Sequence, residues 1–509
     1  MSSSVLPEVA GSPPARAATW VWALGLALLA FAVRLETVLR GGGLFGRIGY
    51  DGSVYYAAAA ALAHGLLPYR DFLLLYPPGI VPALLPFAGL GRLLGDANGF
   101  AAARLAWFGL GATSTALVFA VFRPRGLLPA VAAAGCYAVF VPAVVSEHTT
   151  SLEAVGSVCL LGALALLRPA GAPQRAAAPL VAAEALLGVA TGTKIWGAAV
   201  VLAVVAWSVA RVGPRRAGLV LAGAVGGATV VCLPFFLAAP GAMWRMVVSD
   251  QLGRPRVDGG LAGRLVDLAG FSELRGITST KALAAAAAVL LAVLVVLALR
   301  DPLGRLACVL LAVTGAVLLL SPPWSVAYTG LAAPAVVLLV GSGVARLARR
   351  SVRGRPVVVA VVVAGLLAYG AASLPGLTFG SRFPGRSLDR VLAARPGCVT
   401  TDDPVLLIET GALGRNLDRR CPVVVDPGGY SYDLRPGADH HTGRAENAQW
   451  QDFLRSHLAA GSTAVVVRFR RQPGLSSRTR ATIARWPVLA DVGGYLVRTP
   501  PSSGHGSTG

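Results

Sequence analysis

Long apolar runs recur along most of this chain, and they restrict it to one kind of fold. A helix needs about 20 apolar residues to cross a hydrocarbon core of roughly 30 Å. Runs of that kind lie at 18–34, 101–122, 127–145, 150–167, 217–239, 281–299, 306–322, 325–345 and 356–374. A longer one, 177–210, is expected to hold two short helices. With 55% hydrophobic and 14% charged residues among 509, the composition fits a polytopic membrane protein rather than a large soluble one.

The net charge of +21 would suit a nucleic-acid binder, but the arginines are placed otherwise. They cluster in short connectors: Arg123 with Arg125, Arg168 with Arg175, Arg211 with Arg215 and Arg216, Arg300 with Arg305, and Arg346, Arg349, Arg350, Arg353 and Arg355. Such clusters at every second connector obey the positive-inside rule. The charge is a topology signal, and no nucleic-acid partner is expected. With the N-terminus in the cytoplasm, about eleven spans follow and the chain ends outside. The loop 35–98, the segments near Glu147 and at 240–280, and everything after about 376 then face the exterior. Residues 1–17 are polar and read as disordered. The run after them ends in Arg34 and Glu36 without a small-residue cleavage site, so it reads as a retained span.

Residues 376–498 change character. Short runs such as Val405–Ile408, Val423–Val425 and Ala464–Val467 read as strands, with Asp426-Pro427-Gly428-Gly429 as a turn. A helix over 446–459 carries Trp450, Phe453 and Leu454 on one face. The expectation is a small extracytoplasmic α/β domain after a transmembrane region 18–375, with a disordered tail at 499–509. Cys398 and Cys421 share that exterior part, where a disulfide can persist; sequence leaves their pairing open. Cys136, Cys159, Cys232 and Cys308 lie in spans as small apolar fillers, and no spacing resembles a zinc or haem site.

The first exterior loop holds the polar residues that need explaining. It reads Gly49-Tyr50-Asp51-Gly52-Ser53-Val54-Tyr55-Tyr56, then Pro68-Tyr69-Arg70-Asp71-Phe72, then Tyr76-Pro77-Pro78-Gly79. Polar groups beside a bilayer are costly and invite a functional reading. Asp51 reads as the N-cap of a helix over 52–64 and as a carboxylate able to accept a proton from an attacking hydroxyl. Tyr55, four residues on, shares its face. Asp71 suits either an ion pair with Arg70 or a substrate hydroxyl, and Tyr76 opens a stiff entry to 79–94. That helix, about 24 Å long and broken by prolines, reads as interfacial or re-entrant. Glu147 and His148 read as helix-end residues or substrate contacts. They supply too few ligands to specify a metal, so a divalent cation is left open. Gly192-Thr193-Lys194 breaks the run 177–210 into halves of roughly 22 Å, which places Lys194 below the outer surface, in need of an anionic partner. Arg254 and Arg256 run against the topology bias and suit a lipid phosphate.

Taken together, the three motifs of the first loop, following a first span, resemble the GT-C glycosyltransferases. They are most like the protein-mannosyltransferase and aminoarabinose-transferase branch (glycosyltransferase family 39-like). The resemblance covers roughly 18–345, and Gly192-Thr193-Lys194 and the aromatic stretch 321–334 fit it too. It implies an inverting enzyme with a polyprenyl-phosphate sugar donor, an acceptor that is a glycan, lipid or protein, and Asp51 as general base. Tyr55, Asp71, Tyr76, Glu147 and His148 then stand as substrate-binding candidates, and Lys194, Arg254 and Arg256 as holders of the donor phosphate. Gly52 departs from the pattern, where that branch often has a second acid. The composition rich in alanine, arginine and glycine suggests a high-GC bacterium and its plasma membrane. The rival reading is a transporter or flippase, which would favour charges inside several spans and broken helices in matched halves.

Overall fold

The computed structural model describes residues 13–167, 178–255, 260–350, 354–433, 442–470 and 474–501. Helices dominate it. The chain runs through α1 (Pro13–Arg40), α2 (Tyr50–Ala63), α3 (Ile80–Leu94), α4 (Asp96–Phe122), α5 (Leu127–Val139), α6 (Val141–Glu147) and α7 (Leu152–Leu166). There follow α8 (Ala178–Thr193), α9 (Gly197–Val212), α10 (Pro214–Ala238), α11 (Pro240–Trp244), α12 (Asp250–Leu252), α13 (Leu261–Leu268), α14 (Thr280–Ala298), α15 (Pro302–Leu320), α16 (Ala333–Arg350) and α17 (Arg355–Ser373). Ser279 and Asp301 cap α14 and α15, accepting from the backbone N–H groups of Ala282 and Gly304.

Among the described residues, six helices are long and apolar enough to cross a membrane, and α5 with α6, bent by 53°, adds a seventh. The expected eleven would also need α7, α8, α9 and α16 to cross. The first three are 15 or 16 residues long, and α16 ends in Arg346, Arg349 and Arg350. The run 177–210 does divide into two helices, parting at Lys194.

The C-terminal part forms a four-stranded sheet in the order β1-β2-β4-β3. Its strands are β1 (Val399–Thr401), β2 (Thr463–Val465), β3 (Val488–Val492) and β4 (Tyr495–Arg498). β1 pairs parallel with β2, Val399 opposite Thr463, and β4 runs antiparallel to both β2 and β3. Cys398 and Cys421 form a disulfide at the start of β1. Val405–Ile408 is helical rather than extended: Asp403 accepts from Val405 N and Pro404 occupies the first helical position, which together start a helix. Val423–Val425 is not a strand either.

This part is bound to the beginning of the chain by buried polar contacts. Arg104 of α4 pairs with Glu409 at 3.0 Å, both side chains almost fully buried. Arg47 donates to Asp403 at 2.8 Å, and Gly414 N donates to Asp96 at 2.8 Å. Apolar side chains of α2, α4 and the 404–425 region join one core.

Candidate active site

α2 begins two residues earlier than the sequence suggested. Gly49, at φ 56°, takes the cap position, and Asp51 sits in the first helical turn, where it makes no cap bond. Gly65, at φ 84°, ends the helix as expected. Asp51 forms no hydrogen bond or ion pair with the described residues. It is open to water, although protein surrounds it closely enough to push its carboxyl above the usual carboxylate range. Desolvation is the larger cause and the Asp426 charge the next, with Arg468 and Arg254 pulling the other way.

Gly52 has a steric reason. A side chain there would bring its Cβ to 2.7 Å from Thr149 Oγ1 and 2.8 Å from Thr150 Oγ1. Thr150 donates to Gly52 O at 3.1 Å, which draws α2 against the 149–151 turn. The second acid of the resembling branch has no room here.

The loop after α2 packs the aromatic residues. Tyr69, in the left-handed region at φ 68°, donates to Tyr76 O at 2.6 Å and fixes the turn. Tyr55 and Tyr76 meet edge to face with ring centroids 5.3 Å apart. Burial, then the Asp51 charge, push the Tyr76 hydroxyl up to about 12. Gly79 N donates to Gly192 O at 2.8 Å, and a Cβ on Gly79 would lie 2.6 Å from Thr193 Oγ1. The Tyr-Pro-Pro-Gly and Gly-Thr-Lys motifs, far apart in sequence, are therefore in direct contact.

That contact brings Lys194 beside Tyr76. Its ammonium pairs with Glu153 of α7. It also lies 4.2 Å from the Trp196 ring centroid and 3.9 Å from that of Tyr328. Arg254 lies 4.7 Å from the Tyr432 ring and 5.7 Å from that of Tyr76, and its buried Nε has no hydrogen-bond partner among the described residues. Tyr50 donates to Asp426 at 2.7 Å and accepts from Gly428 N at 2.8 Å. Two cavities open at Lys194. One is walled by Tyr76, Pro77, Trp196, Gln251 and Tyr328. The other is mostly apolar and lined by Leu152, Leu160, Leu187, Val200 and Leu331, together with Glu153.

Asp51, Tyr55, Tyr76, Lys194 and Arg254 are thus gathered in one place. Asp71, Glu147 and His148 are engaged elsewhere. Asp71 binds Arg70 and Leu67 N on an exposed turn, and the Arg70 hydrogen bond holds its carboxyl below the usual range. Glu147 is fully buried, accepting from Arg34 and from Tyr137, each at 2.7 Å. His148 bonds Val145 O and stacks on Phe379 at 3.7 Å. Arg256 lies outside the described residues. No group of three or more His, Cys, Asp or Glu is placed to hold a metal ion among the described residues.

Glu153, Tyr328, Asp426 and Arg468 were missed in the sequence. Glu153 was findable, because an acid inside the apolar run 150–167 calls for a cation just as Lys194 calls for an anion. The C-terminal residues gave no local signal.

Neither a family model nor a curated relative matches the sequence. Solved structures do. ArnT from Cupriavidus metallidurans in the apo state is similar with a TM-score of 0.61 and 17% identity, over 96% of this chain and 99% of that one. The chain has the GT-C fold. The same ArnT bound to undecaprenyl phosphate gives 0.55 and 18% identity over 95% and 98% of the two chains. An oligosaccharyltransferase from Archaeoglobus fulgidus tethered to an acceptor peptide gives 0.52 and 12% identity, over 88% of this chain and 68% of that one. Within the GT-C fold, the cluster around Asp51 includes both the first loop and the C-terminal part.

Proposed function

We propose that the chain is an integral-membrane glycosyltransferase that moves a sugar from a polyprenyl-phosphate donor to an acceptor hydroxyl, with Asp51 as general base. The observation that carries this is the unpaired, water-accessible Asp51 carboxylate in a recess shared with Lys194, Arg254 and Tyr76. In this reading the acceptor hydroxyl gives its proton to Asp51 while its oxygen bonds to the anomeric carbon. The bond from that carbon to the phosphate oxygen breaks on the opposite face, with inversion, and polyprenyl phosphate departs with the electron pair. Lys194 and Arg254 stabilise the charge gathering on the phosphate. The apolar side chains beside Glu153 suit contact with an isoprenoid chain, and the ArnT structure bound to undecaprenyl phosphate supports a lipid phosphate as the carrier. The fold is then a bundle of about eleven crossings in a bacterial plasma membrane, with the Asp51 recess and the C-terminal part on the extracytoplasmic face.

The test uses the full chain in liposomes with radiolabelled polyprenyl-phosphate sugars. Acceptor-dependent release of the free lipid phosphate is expected. Carriage of the labelled lipid across the bilayer with its sugar bond intact would reject the reading in favour of a flippase.

A further inference from the structure

We propose that Asp402 is a positioning residue for this reaction: it grips the backbone on both sides of Arg468 and so holds that guanidinium beside the base. The proposal rests on Asp51 being that base. Asp402 follows the last residue of β1 and is fully buried. One carboxylate oxygen accepts from Val467 N at 2.6 Å and the other from Phe469 N at 2.7 Å. These are the two neighbours of Arg468, so the pair of bonds fixes the direction in which residue 468 projects. Its guanidinium lies 3.9 Å from the Tyr50 ring centroid. Tyr50 immediately precedes Asp51, and its hydroxyl is itself held by Asp426 and Gly428 N.

Arg468 forms no ion pair with any described residue, so its charge is free to act on the recess. The groups that bear on Asp51 come from several elements. Asp426 and Glu153 disfavour its ionised form, and Arg468 and Arg254 favour it. Lys194, Tyr55, Tyr76 and Tyr328 complete the surroundings. Arg468 is the cation that the C-terminal part supplies. Its placement depends on one buried carboxylate, which is why Asp402 and not only Arg468 should govern the base.

The experiment measures the acid limb of kcat/KM against pH for the full-length protein in liposomes. Arg468→Met removes a cation that favours the carboxylate, so the limb moves to higher pH. A half-unit move is about threefold in activity at a fixed pH on the limb. Asp402→Asn can accept only one of the two N–H groups, and it should move the limb in the same direction. The double variant should move it no further than Arg468→Met alone, because both act through one guanidinium. Arg468→Lys should restore the wild-type limb. If Asp402→Asn does not fold, Asp402→Glu, which displaces both oxygens, takes its place. An unmoved limb in the Asp402 variant or in Arg468→Met, or shifts that add in the double variant, overturns the clamp. Full activity in Asp51→Asn overturns the base assignment and the clamp with it, so the two failures are distinct.

Discussion

Asp51 answers to two opposed demands. A base must be ionised to take a proton, whereas protein packed around a carboxylate favours the neutral form. Its raised pKa therefore sets the acid side of the activity profile. Transfer should fall with decreasing pH at values clearly above the ~3.9 of a free aspartate. A pH–rate profile checks this, and a limb at or below that value would count against Asp51. The same shift has a consequence for stability. Because the folded-state pKa lies above the unfolded one, any favourable contribution is present at low pH and is lost as pH rises through the folded value. Once ionised, the carboxylate does not help the fold, and above that pH Asp51→Asn should leave Tm unchanged or raise it. Gly52 is constrained by space. Gly52→Asp forces a Cβ against two threonine hydroxyls and should cost about 1–3 kcal/mol, seen as a lowered Tm. An unchanged Tm would show that the 149–151 turn yields.

The junction of α8 and α9 shows how a helix break becomes a site. Two short apolar helices part at Lys194, and Gly79 docks on the turn, so the ammonium faces Glu153 and two aromatic rings. Glu153→Gln leaves that ammonium without its anion and should cost about 3–5 kcal/mol. Replacing both, with Lys194→Met and Glu153→Leu, should recover most of the stability but not transfer; thermal unfolding and the transfer assay separate the two effects. Recovered transfer would remove Lys194 from the mechanism. Sequence revealed the break because an interior lysine needs an explanation in any apolar run. It misjudged Val405–Ile408, where β-branched composition outweighed the Asp403-Pro404 start signal. It also misjudged the start of α2, since Gly49 at positive φ, rather than Asp51, breaks the chain direction. Helices were legible from their apolar length, and the run Ala464–Val467 marked the place of β2; three-residue β1 carried too little pattern to be read.

Across the molecule, the recess is built from parts as far apart in sequence as Asp51 and Arg468. Arg104–Glu409, Arg47–Asp403 and Tyr50–Asp426 hold the C-terminal sheet against the first loop, so Arg468 and Asp426 reach the neighbourhood of Asp51. Such pairings leave no trace in local periodicity, which is why the first-loop half of the site could be read from sequence and the C-terminal half could not. Glu409→Gln leaves Arg104 buried without its anion, and a loss of about 3–5 kcal/mol is expected in thermal unfolding. A negligible change would mean that the pair does not hold the two parts together. The decisive comparison is single-turnover transfer from a labelled polyprenyl-phosphate sugar by wild type and by Asp51→Asn, each shown to be folded. We expect release of lipid phosphate by wild type and none above background by Asp51→Asn; equal release by the two proteins would contradict the assignment.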